Sequence, residues 1–150
     1  MSHQGEPLDP AVAQRVHASF ERHGLMQTIG ATLTLVAPGL VEIELPFRGD
    51  LTQQHGFLHA GIVAALADVA CGYAAFTLMP ANSEVLTVEF KVNFLAPASG
   101  EQFRARGEVI RAGRTLTACR GSVFSLNEGK EDLIATMLAS MIRRERGEGG

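Results

Sequence analysis

The stretch "QQHGFLHAGIVAALADVACGYAAF", Gln53 to Phe76, decides how this chain is read. Two histidines, His55 and His59, stand at the mouth of a long apolar run, and one carboxylate, Asp68, lies deep inside it. A lone carboxylate buried without a partner is costly, so Asp68 needs either a partner or an opening. The core of the run, Ile62 to Met79, approaches membrane-spanning length. It contains Asp68 and Gly72 and lacks basic flanks, which makes it a buried helix of a globular protein.

Upstream, "LDPAVAQRVHASFERHG" is punctuated as a helix over about residues 9–24. Asp9 suits the N-cap, Pro10 the first helical position and Gly24 the end. Val12, Val16 and Phe20 form its apolar stripe, with His17 and His23 on or near the solvated side. From Ile29 the hydrophobic period changes to two, predicting two strands joined at Ala37-Pro38-Gly39. In "SEVLTVEFKVNFLAP" the alternation predicts Leu86, Val88, Phe90, Val92 and Phe94 on one face and Thr87, Glu89, Lys91 and Asn93 on the other. Two further strands hinge at Ala112-Gly113, and "NEGK" turns the chain into a last strand over about Leu133–Ile142. The tail from about residue 143 to 150, "RRERGEGG", reads as disordered. The expected order is helix, two strands, long helix, four strands. This is an α+β architecture with a sheet of about six antiparallel strands wrapped around one helix.

At 150 residues the chain is expected to form one domain with a sizeable core. Its net charge of −3 gives no pull toward nucleic acid or an anionic membrane. The two cysteines, Cys71 and Cys119, form no metal-binding or redox spacing and suit a reducing compartment. The first residues lack the basic-then-apolar layout of a signal peptide, so the expected location is the cytoplasm. There is no GxGxxG or P-loop, and no cofactor or metal is expected.

Gln53-x-x-Gly56-x-x-His59-Ala60-Gly61 followed by Asp68 resembles the signature of hotdog-fold acyl-CoA thioesterases. The group resembled includes the phenylacetate-pathway and 4-hydroxybenzoyl-CoA thioesterases. "VEFKVNFLAPASGE" and "RAGRTL" are similar to the same family, and the likeness runs from about Ile29 to Ile142. The chain departs from the pattern at Gln53, where Asn is more usual, and at Ala60, where Gly is. Some relatives place a hydroxyl four residues after the acid, where this chain has Gly72. The resemblance implies an acyl-CoA substrate with an aromatic or medium-chain acyl group, CoA being part of the substrate. It also implies a homodimer as the minimal active unit, assembled into a homotetramer, with Asp68 of one subunit facing Gln53, His59 and Ala60 of the other.

Helix geometry bears on that reading. Nine residues separate His59 from Asp68, about 900° of rotation, so the two lie half a turn out of phase on a continuous helix. His59 at the helix entrance leaves the Ala60 N–H facing outward with the positive end of the helix dipole behind it. That is a ready site for a thioester oxyanion. Ala60 and Gly61 keep the approach uncrowded, and Gln53 can orient a water or hydrogen-bond the thioester. Asp68 then acts as general base or as nucleophile. The His59 imidazole either acts itself or only shapes the loop.

Arg111 and Arg114 flank Gly113 at a hairpin end, read either as a solvated turn or as a clamp for the CoA phosphates. Asn93 and Phe94 lie on the strand that, by resemblance, borders the pantetheine channel. Lys91 and Arg104 are weaker candidates for the same contact. Phe57, Leu58, Tyr73, Phe76 and Met79 line an acyl pocket or belong to the core. Cys71 reads as inert packing. Two alternatives compete: a non-catalytic acyl-CoA sensor, and a hotdog dehydratase or hydratase. Asp68 argues against the first, as does the lack of a helix-turn-helix partner. The second wants a Pro-Gly turn at the helix entrance, which "FLHAG" does not supply.

Overall fold

The computed structural model describes residues 7–147. Six strands form one antiparallel sheet: β1 (Thr32–Ala37), β2 (Leu40–Pro46), β3 (Ser83–Phe94), β4 (Gln102–Ala112), β5 (Leu116–Asn127) and β6 (Lys130–Glu145). Their spatial order is β1-β2-β4-β5-β6-β3. Two short helices, α1 (Pro10–Glu21) and α2 (Gly24–Ile29), precede the sheet, and the long helix α3 (Ala60–Phe76) lies against its inner face. The α+β arrangement expected from the alternating periods is the one observed. No helix among the described residues is long and apolar enough to cross a membrane.

Close approach of α3 to the sheet defines the core. The helix is rich in Ala and Gly, so its backbone can come near its neighbours. A Cβ built on Gly107 of β4 would stand 2.3 Å from the carbonyl of Ala70 and 2.5 Å from the amide nitrogen of Cys71. At Gly121 of β5 it would meet Cys71 Sγ at 3.1 Å. Around this contact Val41, Ile43, Leu45, Phe103, Val123, Met137 and Met141 are buried on the inner face. Their every-second-residue spacing is the pleat written in the sequence. The far end of α3 is tied down twice. Thr77 Oγ1 accepts from the Gly39 amide of the β1–β2 turn (2.7 Å) and donates to Ala74 O (2.6 Å). Arg15 of α1 donates to the carbonyls of Phe76, Met79 and Pro80 and stacks 4.4 Å above the Phe76 ring.

Three expectations are corrected. The first helix does not run to Gly24: it closes at Glu21, and His23 starts α2 by accepting the Met26 amide on Nδ1 (3.3 Å). The left-handed terminator is Gly30, with φ 82°, rather than Gly24. The last strand is longer than read and continues through Glu145, because Arg143–Glu145 pair with Ser83–Val85. The expected disordered tail therefore cannot begin at 143, and residues 148–150 lie outside the described residues.

The third correction matters most for function. Thr87 pairs with Met141 but Glu89 with Ser140, so Val88 is an extra residue, a β-bulge. The bulge resets the alternation. Val85 and Thr87 share the inner face with Phe90, Val92 and Phe94, while Leu86 turns outward with Glu89, Lys91 and Asn93.

Because the Gly107 contact is backbone on backbone, no rotamer can relieve a larger residue there. Gly107→Ala is expected to cost on the order of 3 kcal/mol, read as a lower midpoint in a urea titration. An unchanged midpoint would show that α3 can lift off β4 freely.

Candidate active site

The mouth of α3 is built by the loop before it. Thr52 and Leu58 form an isolated bridge, and the Gln53 amide donates to Phe57 O (2.9 Å) across a turn in which Gly56 takes φ 84°. Gln53 Oε1 accepts the amides of His55 (2.6 Å) and Phe57 (3.3 Å). Its oxygen is thereby committed to the loop, and its Nε2 hydrogens are the group left for the cavity that Gln53 lines. Leu58 and His59 hold the loop to the body by donating to Ala98 O (3.0 Å) and Leu51 O (2.9 Å). His55 is an exposed loop residue, as read.

His59 is the N-cap of α3, and its Nδ1 accepts the Gly61 amide at 2.8 Å. Nδ1 is therefore the acceptor nitrogen of the ring and Nε2 the one left to donate. The amides of Ile62 and Val63 both donate to His59 O. Of the four amides that open a helix, only that of Ala60 lacks an acceptor among the described residues. Gly61 makes this possible, since a Cβ there would stand 3.0 Å from His59 Nδ1. The imidazole is a cap, and the free donor beside it is backbone.

Ala60 borders a cavity of about 450 Å3 together with Gln53, Phe57, Phe94, Pro97 and Ile134. Asp68 belongs to a second cavity, of about 220 Å3, with Ser19, His23, Gly72, Tyr73 and Thr87. The two share no lining residue. The half-turn offset read from the sequence holds: within one chain Asp68 does not reach the helix mouth. Asp68 is half-buried, and its Oδ1 accepts a 2.6 Å hydrogen bond from Thr87 Oγ1.

Sequence reasoning placed Thr87 on the wrong face because the bulge at Val88 leaves no gap in the apolar alternation. It also left out Ser19 and His23, which come from α1 and from the start of α2; the short polar interruption "ERHG" was their only local signal. Gly72, where some relatives carry a hydroxyl, has nothing within 4 Å of a built Cβ, and Thr87 supplies a hydroxyl to Asp68 from the strand instead.

The remaining candidates separate. Phe94 lines the first cavity, whereas Asn93 faces the opposite side of the sheet beside Lys91 and Arg120. Arg104 is engaged by Glu42 (3.3 Å), Glu44 (2.8 Å) and Glu131, an ion-pair cluster that occupies its guanidinium. Arg111 and Arg114 are exposed at the β4–β5 hairpin, which Gly113 closes by donating to Leu116 O at 2.8 Å. That hairpin lies at the C-terminal end of α3, beside the start of β3, away from the mouth of its own helix. Phe57 and Leu58 border the first cavity and Tyr73 the second, while Phe76 and Met79 are core. Burial pushes the Cys71 thiol far up and that of Cys119 up to about 12, so neither supplies a thiolate near neutrality. Among the described residues no three His, Cys, Asp or Glu side chains cluster as metal ligands.

Residues 55–131 match the profile of the thioesterase superfamily. A solved thioesterase family protein from Silicibacter pomeroyi superposes with a TM-score of 0.88 at 51% identity, covering 89% of this chain and 98% of that one. A protein of Saccharolobus solfataricus named as an esterase is 37% identical over 78 residues, 52% of this chain and 55% of its own length. The 1,4-dihydroxy-2-naphthoyl-CoA hydrolase of Listeria monocytogenes is 28% identical over 92 residues, 61% of this chain and 75% of that protein.

Gly61→Ala is expected to push the His59 ring off the cap and cost about 1 kcal/mol. His59→Ala added to that variant should cost little more, because the bond is already gone. Fully additive losses in a denaturant cycle would show that the cap bond is not what Gly61 protects.

Proposed function

The chain belongs to the thioesterase superfamily and is a thioester hydrolase; on that premise we propose that it cleaves an acyl-CoA between two subunits. The observation that carries this reading is the separation of the two chemical groups. A free Ala60 N–H at one helix mouth and a hydroxyl-bonded Asp68 in another cavity need a second chain to meet. The edge strand β3 supports such a partner. It runs twelve residues with Leu86, Val88, Phe90 and Phe94 exposed at 49%, 54%, 44% and 48%. A long apolar edge of this kind is a template for pairing. Antiparallel pairing of two β3 strands brings the C-terminal end of one α3 to the side of the partner's helix mouth. Leu116 and Leu138 on the outer face, exposed at 53% and 57%, support further association into a homotetramer.

In the proposed mechanism the thioester carbonyl oxygen sits against the Ala60 N–H, with Gln53 Nε2 as the second donor. By the base route, Asp68 of the partner takes a proton from water, and the oxygen so freed attacks the carbonyl carbon. The C=O π pair moves onto the oxygen held by the two donors. Collapse of this intermediate breaks the C–S bond, and the thiolate of CoA takes the proton from Asp68. By the nucleophilic route, the carboxylate itself attacks the carbonyl carbon and expels the CoA thiolate, leaving a mixed anhydride. Water then hydrolyses it to free acid and Asp68 carboxylate, and the proton released passes to the thiolate. Thr87 Oγ1 holds Asp68 in place for either route. His59 acts by capping α3 with its ring Nδ1, not by transferring a proton. Phe94 borders the pantetheine channel, and the Arg111–Gly113–Arg114 hairpin of the partner binds the CoA phosphates at the channel's outer end. The acyl group is aromatic or of medium length, and a hydroxylated aromatic acyl-CoA is what the Listeria relative's name says it cleaves. Two free, buried cysteines favour a cytoplasmic setting.

Asp68→Asn should lower kcat at least about 10²–10⁴-fold with little change in substrate affinity. Mixed with a variant altered at Gln53 and Ala60, the two inactive proteins should recover about a quarter of wild-type activity after random subunit exchange. A mixture as inactive as its parents, with exchange verified, would place both groups in one chain.

Replacing Arg111 and Arg114 together should raise KM for acyl-CoA and leave an acyl-pantetheine, which lacks the nucleotide, nearly unaffected. Equal losses on both substrates would remove the hairpin from the binding site.

A further inference from the structure

The cavity at Asp68 has an end wall that the mechanism above does not use. Ser19 of α1, His23 between α1 and α2, and Tyr73 of α3 line it together with the carboxylate. Ser19 Oγ and Tyr73 Oη lie 3.1 Å apart, and one donates to the other. That pair holds two hydroxyl hydrogens and uses one, so whichever group donates, one hydrogen has no acceptor among the described residues. Tyr73 is buried as a residue, and its hydroxyl faces Ser19 Oγ. Burial raises its pKa above the ordinary tyrosine range, which keeps it a donor at neutral pH.

His23 adds a second donor. Its Nδ1 accepts the Met26 amide, which fixes the proton on Nε2, and no described residue accepts from that nitrogen. The ring stands edge-on to Tyr73 with centroids 6.4 Å apart, so the two groups share one wall. Two spare donors at this wall define an acceptor site. The cavity measures about 220 Å3, and an apolar cavity of about 150 Å3 suffices for benzene. One ring or a short chain fits. Along α3 the wall residue Tyr73 lies about 7.5 Å beyond Asp68, five residues at 1.5 Å each.

We infer that Ser19, His23 and Tyr73 read an oxygen at the distal end of a compact acyl group, making this wall the specificity determinant of the site. The inference rests on the thioesterase reading, in which the carbonyl carbon lies at Asp68 and the acyl group enters the cavity beside it. An acyl group without the oxygen covers these half-buried donors and gives neither an acceptor. Sites of that kind discriminate far more strongly than apolar pockets do. Ser19 and His23 lie upstream of residues 55–131, the segment that matches the family profile.

The test compares matched acyl-CoA pairs differing by one distal hydroxyl: 4-hydroxybenzoyl against benzoyl, and 4-hydroxybutyryl against butyryl. Wild-type protein should favour the hydroxylated member by at least about tenfold in kcat/KM. Ser19→Ala with Tyr73→Phe, which keeps the ring, should bring that ratio to within about threefold of unity, mainly by losing the hydroxylated substrate. Equal kcat/KM within each wild-type pair overturns the inference and leaves the thioesterase reading intact. A loss in the variant shared equally by both members also overturns it, since that is a general defect. If no acyl-CoA is turned over, the thioesterase reading fails. Calorimetric Kd values for the same pairs then decide whether the wall reads the oxygen, and equal values sink it.

Discussion

Everything in this molecule is positioned by one contact, the backbone of α3 lying directly on the backbone of β4 at Gly107. The approach is closer than any residue with a Cβ allows. It requires small residues on both sides, and Ala67, Ala70, Cys71, Ala74 and Gly121 supply them. With the helix pressed this close, both its height above the sheet and its rotation are set. Rotation decides function. It aims Asp68 at β3, where Thr87 waits, and leaves the helix mouth over the loop that carries Ala98. A helix held at a looser distance by Leu or Ile would be free to roll, and Asp68 would lose its fixed partner.

The carboxylate inside the apolar run is then intelligible. Asp68 is half-buried, accepts a short bond from a strand hydroxyl and borders an open cavity, so it never bears the full cost of a closed core. The bulge at Val88 is the device that makes this possible. Without the extra residue, Thr87 would follow the outward phase of Glu89 and Lys91, and Leu86 would face the acid. The same bulge sits in the middle of the exposed β3 edge, where twist and register bear on what can pair with it. One inserted residue therefore both gives Asp68 its hydroxyl partner and shapes the exposed edge of the sheet.

Much of this was legible before any coordinates. The six strands, the long helix and the offset between His59 and Asp68 follow from hydrophobic period and from 3.6 residues per turn. The Ala60 amide could be singled out because every helix leaves its first donors open. What remained hidden has a common cause. A bulge occupied by valine looks like one more apolar position in an alternating run, so the phase change at Thr87 is silent in the sequence. The break between α1 and α2 is likewise a matter of a histidine choosing the Met26 amide, which composition does not announce. The Ser19–His23–Tyr73 wall joins residues up to 54 positions apart, and only tertiary packing brings them together.

The thiols complete the physical picture by what they are prevented from doing. A thiolate near a thioester carbonyl would exchange acyl groups with it rather than pass them to water. Cys71 is one turn past Asp68 on α3 and is fully buried, with burial as the first cause of its raised pKa and Cys119 as the second. Its sulfur packs against the glycine of β5, and Cys119 Sγ points at the Cys71 carbonyl at 3.5 Å. The helix thus turns its soft nucleophile into the sheet and its carboxylate toward the cavity, a division set by the roughly 300° between positions 68 and 71. Of the two groups, only the carboxylate meets solvent. The same close packing that fixes Asp68 is what keeps the thiol protonated and out of reach.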